Sequence, residues 1–417
     1  MKMEKKKLLI LGANAETAKL VNVAKNKGIY TIVTDNVIGA YAKKYADKSY
    51  DINGLDVDNI VLMAKQEGID GILVGTADPL IPAYYEVAKR MGLPCYVTEK
   101  SLKAFTNKKA FKECCAKFDI QGVPEYKLED IREGKNVVYP ILVKPADGRS
   151  GKGITVCYSY EEIDAAIQKA LNASQSKEVL FERYMECDDV FMYYTFNDGK
   201  YYLSAMPDRF TCHEQVGVDP VVLGATYPSK YLDVYLNTLH EKMCRMFEAL
   251  EIKNGVLLIQ AFVENGQFYV YDPGFRLQGG APHLLLEAIN GINHQEMLID
   301  FALTGKMCEE HVMDKNDVHF QNVSAASQVI LLKAGKIGKI EGIEEVSKMP
   351  GVVATTQRLF EGEIVDGIGT EQQILVRFHL VCATKKELKD LVGVINNTVH
   401  AYDESGKEMC LEGLKIE

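Results

Sequence analysis

Hydrophobic and polar positions fall into two periods along this chain. Short apolar runs at 7–11 (KLLIL), 30–34 (YTIVT) and 71–75 (GILVG) have the length and branched side chains of buried strands. Between them, 18–24 and 57–67 carry apolar residues at helical spacing, and 79–91 reads as a further helix. A last short strand is expected at 94–97, and this first unit closes near Lys100. The next segment, 101–118, is helical and presents Lys108, Lys109 and Lys112. Strands are expected at 139–143 (YPILV), 179–184 (VLFERY), 190–196 (VFMYYTF) and 201–205, with a loop over 206–226. One amphipathic helix is expected over 234–250, a strand pair at 256–263 and 268–271, and helices at 283–289 and 295–303. From about 312 onward, strands at 329–333, 351–356 and 374–383 alternate with helical pattern, giving a smaller α+β unit without a catalytic cluster.

The fold class is therefore α/β followed by α+β, in three units: 1–100, 101–311 and 312–417. The first resembles a Rossmann-like βαβ domain. A dinucleotide site there is disfavoured, because only Gly12 is present where the fingerprint needs several glycines, although Asp35 lies at a suitable spacing. Thr76 and Asp78 sit at a strand end, where open α/β sheets place ligands; a helix N-cap is the plainer role for Asp78.

Composition narrows the choice. With 47% hydrophobic and 25% charged residues the chain can build ample core. A formal charge of −10 argues against nucleic-acid binding. No apolar run approaches membrane-span length, and no signal peptide is visible at the start. Ten scattered cysteines without CxxC pairs fit reduced thiols, and so a cytoplasmic location; eight histidines show no zinc spacing.

The chemistry concentrates in 255–280, GVLLIQAFVENGQFYVYDPGFRLQGG. Asn265-Gly266 is a strong hairpin signal. A two-residue turn would set Gln260 opposite Tyr271 and send Asp272 to the other face. A three-residue turn, with Gly266 as a G1 bulge, would set Gln260 opposite Val270, with Asp272 one diagonal step away on the same face. In that register an amide oxygen, a carboxylate and the Arg276 guanidinium share a ledge suited to Mg²⁺ and phosphate. Upstream, Lys144 ends a strand and leads into Gly148, Arg149, Ser150, Gly151 and Gly153. Backbone N–H groups of such a loop converge on anionic oxygens. Arg209 and Lys230 are candidate grips for an anionic substrate.

Taken in order, Thr106-Asn107-Lys108, YPILVKPADGRSGKGI, VLFERYMECDD and QAFVENGQFYVYDPGFRLQ resemble the ATP-grasp superfamily. The likeness extends to carbamoyl-phosphate synthetase, biotin carboxylase, purine-pathway enzymes and amino-acid ligases. It implies an ATP-grasp fold behind an N-terminal pre-ATP-grasp domain, with a small lid at about 120–190. It also implies an ADP-forming carboxylate–amine (or thiol) ligase that uses ATP and Mg²⁺ (or Mn²⁺) through an acyl phosphate. By resemblance, Lys108 and Lys144 bind phosphates and Gly148 to Gly153 close over them. Glu182, Tyr184 and Met185 fall on the adenine hinge and Asp189 on the ribose-binding acid. Gln260 and Asp272 fall on the metal ligands, and Arg276 on the arginine that steadies the transferred group. Small-molecule carboxylate and amine substrates are the implied partners, and a homodimer is the family expectation. Two departures stand out: Asp272 replaces the usual Glu, and Gly274 stands where Asn is expected. The second favours, as an alternative, a nucleotide-binding protein with weak or no catalysis; a purine-pathway or carbamoyl-phosphate-synthetase-like enzyme is a further alternative, because the first domain and the lysine pattern look similar.

Overall fold

The computed structural model describes residues 5–146, 153–174, 176–212 and 221–416. The branched runs form a parallel sheet in the order Lys48–Tyr50, Tyr30–Thr34, Lys7–Leu11, Gly71–Val74. The strand order reverses between Lys7–Leu11 and Gly71–Val74, so the carboxyl ends of these two strands open a crevice. Helix Ala15–Asn26 starts at that mouth, capped by Asn14 accepting from Thr17 N.

A second, antiparallel sheet pairs Glu125–Tyr126, Val179–Arg183, Ile141–Pro145 and Thr155–Cys157. Helix Ile163–Ala173 covers it, and the two share a separate small core around Ile141, Val143, Ile163 and Phe181. The largest sheet has nine strands. Its path runs Gln267–Gly274, Gly255–Glu264, Asp188–Asn197, Asp208–Cys212, Val221–Tyr227, Ser324–Leu331, Ile374–Cys382, Val352–Gln357, with Lys200–Ala205 paired to Asp188–Asn197. Strands from beyond residue 312 therefore extend the sheet that carries the hairpin.

Several expectations fail locally. No strand forms at 94–97; Tyr96 instead buries its ring against Tyr84 and Phe275, 5.1 Å from each between centroids. The helical pattern over 101–118 is two helices, Glu99–Phe105 and Lys108–Lys117, because Asn107 accepts from Ala110 N and restarts the chain as a cap. The 234–250 helix is likewise divided at Leu239 into Leu232–Thr238 and His240–Ala249. The expected loop at 206–226 holds Asp208–Cys212 and Val221–Tyr227. Their alternation is weak, but they pair with long neighbours on both sides.

Three imidazoles lie inside this packing: His283, His294 and His379, at 4%, 1% and 0% exposure. Burial holds His283 down to about 3 and His294 to about 4, and it pushes His379 well below the usual 6.5, with help from Arg377 and Lys19. The unfolded chain takes up these protons near pH 6.5 and the folded chain does not. Stability is therefore complete above that value and is lost as pH falls below it, by about 2 kcal/mol per imidazole at pH 5. Thermal melting followed from pH 7.5 to 5 is expected to show a steep fall in Tm; a flat profile would contradict this burial.

Candidate active site

Lys144 lies on the lid strand Ile141–Pro145 and is 7% exposed. Its ammonium pairs with Glu182, on the adjacent strand Val179–Arg183 and 2% exposed; the other oxygen of Glu182 pairs with Lys112. Burial works to raise the Glu182 carboxyl, but the two ammonium groups outweigh it and hold the carboxyl below its ordinary range. Burial also lowers Lys144, with Lys108 and Lys112 adding to the effect against Glu182. The side chain of Glu182 is thus a strut between two lysines. Tyr184 N–H donates to Pro140 O at 3.0 Å, and Met185 is buried beside it. Lys108 opens helix Lys108–Lys117 and is half-buried.

The hairpin forms as a two-residue turn, with Asn265 at φ 52° and Gly266 at φ 78°. The G1-bulge register does not occur. A bulge at Tyr271 shifts the pairing between Ala261↔Val270 and Gln260↔Asp272, so Gln260 faces Asp272 directly. The shared ledge therefore arises from a bulge rather than from the turn length. The extra residue is used: Tyr271 Oη accepts from Arg209 Nη1 at 2.7 Å and lies 3.2 Å from Asp189 Oδ2. Arg209 pairs with Asp189 at 2.8 Å, and with the Gln260 amide turned so its oxygen faces the guanidinium, that oxygen accepts from Nη1 at 2.8 Å. The charge of Arg209 is thus already met. Lys230 is exposed and pairs with Asp188 at 2.9 Å.

Arg276 is 8% exposed and held by three oxygens. Nη1 donates to Gln278 Oε1 at 2.7 Å and to Leu277 O at 2.9 Å, and Nη2 donates to Asp78 Oδ2. Asp78 makes no cap hydrogen bond in its short turn Asp78–Leu80, so the N-cap role is corrected: its carboxylate crosses to the hairpin strand. Asp272 has no hydrogen bond or ion pair among the described residues. Burial raises its carboxyl and Asp78 adds to this, while Lys108, Lys144 and Arg276 pull the other way. Lys108, Lys144, Asp272, Arg276 and Asp78 therefore face one space from four elements: helix, lid-sheet strand, hairpin strand with its continuation, and the short turn Asp78–Leu80. Glu182, Gln260, Arg209 and Asp189 support its walls. Gly153 packs where a Cβ would meet Ala173 Cβ at 2.6 Å, at φ 78°. Gly148, Arg149, Ser150 and Gly151 lie outside the described residues.

The donors presented here are oxygens, which suit a hard divalent cation, and a carboxylate lacking a partner is what such a cation would satisfy. Among the described residues no three His, Cys, Asp or Glu side chains form a metal cage. A pair of carboxylates with an amide is enough when phosphates and water complete the shell.

A second polar group was not read from the sequence. Arg377 and His379 share one face of Ile374–Cys382, which packs against helix Pro282–Asn290. Arg377 Nη1 donates to Gly279 O at 2.6 Å; Lys19 donates to Thr356 Oγ1 at 2.5 Å; Arg358 pairs with Glu16 at 2.9 Å and Glu371 at 3.2 Å. Two polar side chains at strand spacing, at 377 and 379, were the available signal.

Lid, ledge and crevice together define a nucleotide-handling α/β protein with facing cationic and acidic walls. Residues 107–307 match the family model described as carbamoyl-phosphate synthase L chain, ATP binding domain. The chain is 26% identical over 200 residues to the formate-dependent phosphoribosylglycinamide formyltransferase of Wolinella succinogenes; the match covers 46% of this chain and about half of that relative, 51%. In structure it is similar to the L-amino acid ligase from Bacillus licheniformis (TM-score 0.79, 15% identity, 97% of this chain and 100% of that one). It is also similar to the biotin carboxylase domain dimer of Hydrogenobacter thermophilus 2-oxoglutarate carboxylase in complex with MgADP (TM-score 0.75, 16% identity, 95% and 91%). The chain has the ATP-grasp fold, with the N-terminal parallel-sheet domain.

Proposed function

We propose that the chain is an ATP-dependent ligase. It activates a small carboxylate as an acyl phosphate and passes the acyl group to an amine or thiol, releasing ADP and phosphate. The observation that carries this reading is the convergence of Lys144 from the lid with Asp272 and Arg276 from the ledge on one space. Lys108 and Lys144 meet the phosphates, and the loop through Gly153 covers them. The segment at Tyr184 and Met185 borders adenine, and Asp189 faces the ribose. Gln260 and Asp272 hold the cation, which when bound offsets phosphate charge and orients the transferred group. Arg276, fixed by Asp78 and Gln278, stabilises oxyanion charge at the acyl centre. Arg377, buried and donating to Gly279 O, adjoins the Arg276 segment and favours an acidic substrate.

The test is phosphate release from Mg-ATP against pooled carboxylates and amines, with mass spectrometry of the product. A substrate-dependent ADP burst with a condensed product is expected. ATP binding without turnover under every pool would favour the second reading, a nucleotide-binding protein with weak catalysis, which Gly274 supports by leaving the ledge one side chain short.

A further inference from the structure

The gap at Gly274 is filled from elsewhere. The φ of Gly274 lies outside the left-handed region, so the backbone there does not demand glycine. Nor does space at the Cβ: a Cβ on Gly274 would make ordinary contact, 3.4 Å from Asp78 Oδ1 and 3.7 Å from Arg276 Cζ, so the Asp78 carboxylate stands directly against this position. Asp78 belongs to the N-terminal domain, just beyond Gly71–Val74 at the point where the strand order reverses. One of its oxygens is committed to Arg276. The other, Oδ1, is buried and has no hydrogen-bond partner. A buried carboxylate oxygen left unmet is costly. Along the hairpin strand, Asp272 and Gly274 share a face, so Oδ1 reaches the ledge one side-chain position beyond Asp272. Two carboxylates from different domains are thus turned toward the same space, and a divalent cation is the group that relieves both.

We propose that Asp78 is a ligand of the divalent cation that accompanies the nucleotide, entering from the N-terminal domain in place of the side chain that Gly274 lacks. This rests on the ATP-dependent reading above. Arg276 then has a second task, to hold Asp78 in line. Binding of the cation also ties the parallel-sheet domain to the hairpin, so the site is complete only when the two are docked.

The probe is Mn²⁺ with ADP on the full chain, followed by electron paramagnetic resonance and by water-proton relaxation, which counts manganese-bound waters. Asp78→Asn is expected to weaken Mn²⁺ binding about tenfold and to raise the count of bound waters. Asp78→Glu, which keeps the carboxylate, is expected to retain most of the affinity. Asp78→Ala is expected to weaken Mn²⁺ binding likewise, and Asp78→Ala combined with Gly274→Asn to recover most of it, because an amide oxygen then enters from the hairpin into the space the carboxylate leaves. Thermal melting checks that each variant folds. Wild-type Mn²⁺ affinity and hydration in Asp78→Asn would overturn the proposal while leaving ATP binding intact. Failure of the wild-type chain to bind Mn²⁺–ADP at all would instead remove the reading on which it rests.

Discussion

Lys144→Ala is expected to reduce phosphate release from Mg-ATP on the order of 10³-fold, the scale seen when one fixed charge is removed from a developing anion. The geometry supports a loss this large. Lys144 is buried on a lid strand, its direction is fixed by Glu182, and it faces the space that Asp272 and Arg276 border. Removal has a structural cost as well. Glu182 is left 2% exposed with Lys112 as its remaining cation, and breaking a buried pair by removing one partner costs about 3 kcal/mol. Turnover and melting must therefore be measured on the same sample. The lid has its own small core, so the loss of stability should be read there first, by hydrogen exchange over Val179–Arg183. A Lys144→Ala protein with wild-type turnover would remove the phosphate role of this lysine.

Asp272→Asn is expected to move activity and stability in opposite directions. The charge of Asp272 is needed for a cation, so turnover should fall by roughly 10²-fold or more. Without a cation, however, that charge is a burden, because burial and Asp78 both raise the Asp272 carboxyl. A carboxyl raised in the folded state makes folding less favourable at pH values where it is ionised, so neutralising it should raise the Tm of the metal-free protein at pH 7. The same reasoning gives the pH dependence of the wild type. Cation binding should weaken as pH falls through the raised Asp272 value, because the proton competes with the metal. A variant that melts lower and turns over normally would show that Asp272 serves only packing.

Some of this was visible in the residues because it is local. KLLIL and YTIVT form strands from residues within themselves; the Asn107 cap is equally local, yet the period over 101–118 read as one helix and hid it. The order of the lysine, loop and hairpin segments likewise led to the expectation that Lys108, Lys144, Asp272 and Arg276 share one site. The register of the hairpin was not visible. Both turn lengths were open, and the bulge at Tyr271 that settles the matter depends on Arg209 and Asp189, more than 60 positions away. Glu182 was placed by its motif with the adenine hinge, and its side chain went to two lysines because a buried carboxylate must find counter-charge wherever the fold supplies it. Arg377 and His379 looked like part of an ordinary alternating strand until the helix Pro282–Asn290 covered them.

Alone, then, the sequence determined most of the elements that form and the superfamily fold their order resembles, since period and motif order are properties of neighbouring residues. Tertiary structure alone decided which charges meet. Asp78 and Arg276 stand 198 positions apart and share a hydrogen bond because two domains close on one crevice. Electrostatic pairing acts through space, and no spacing along the chain records it.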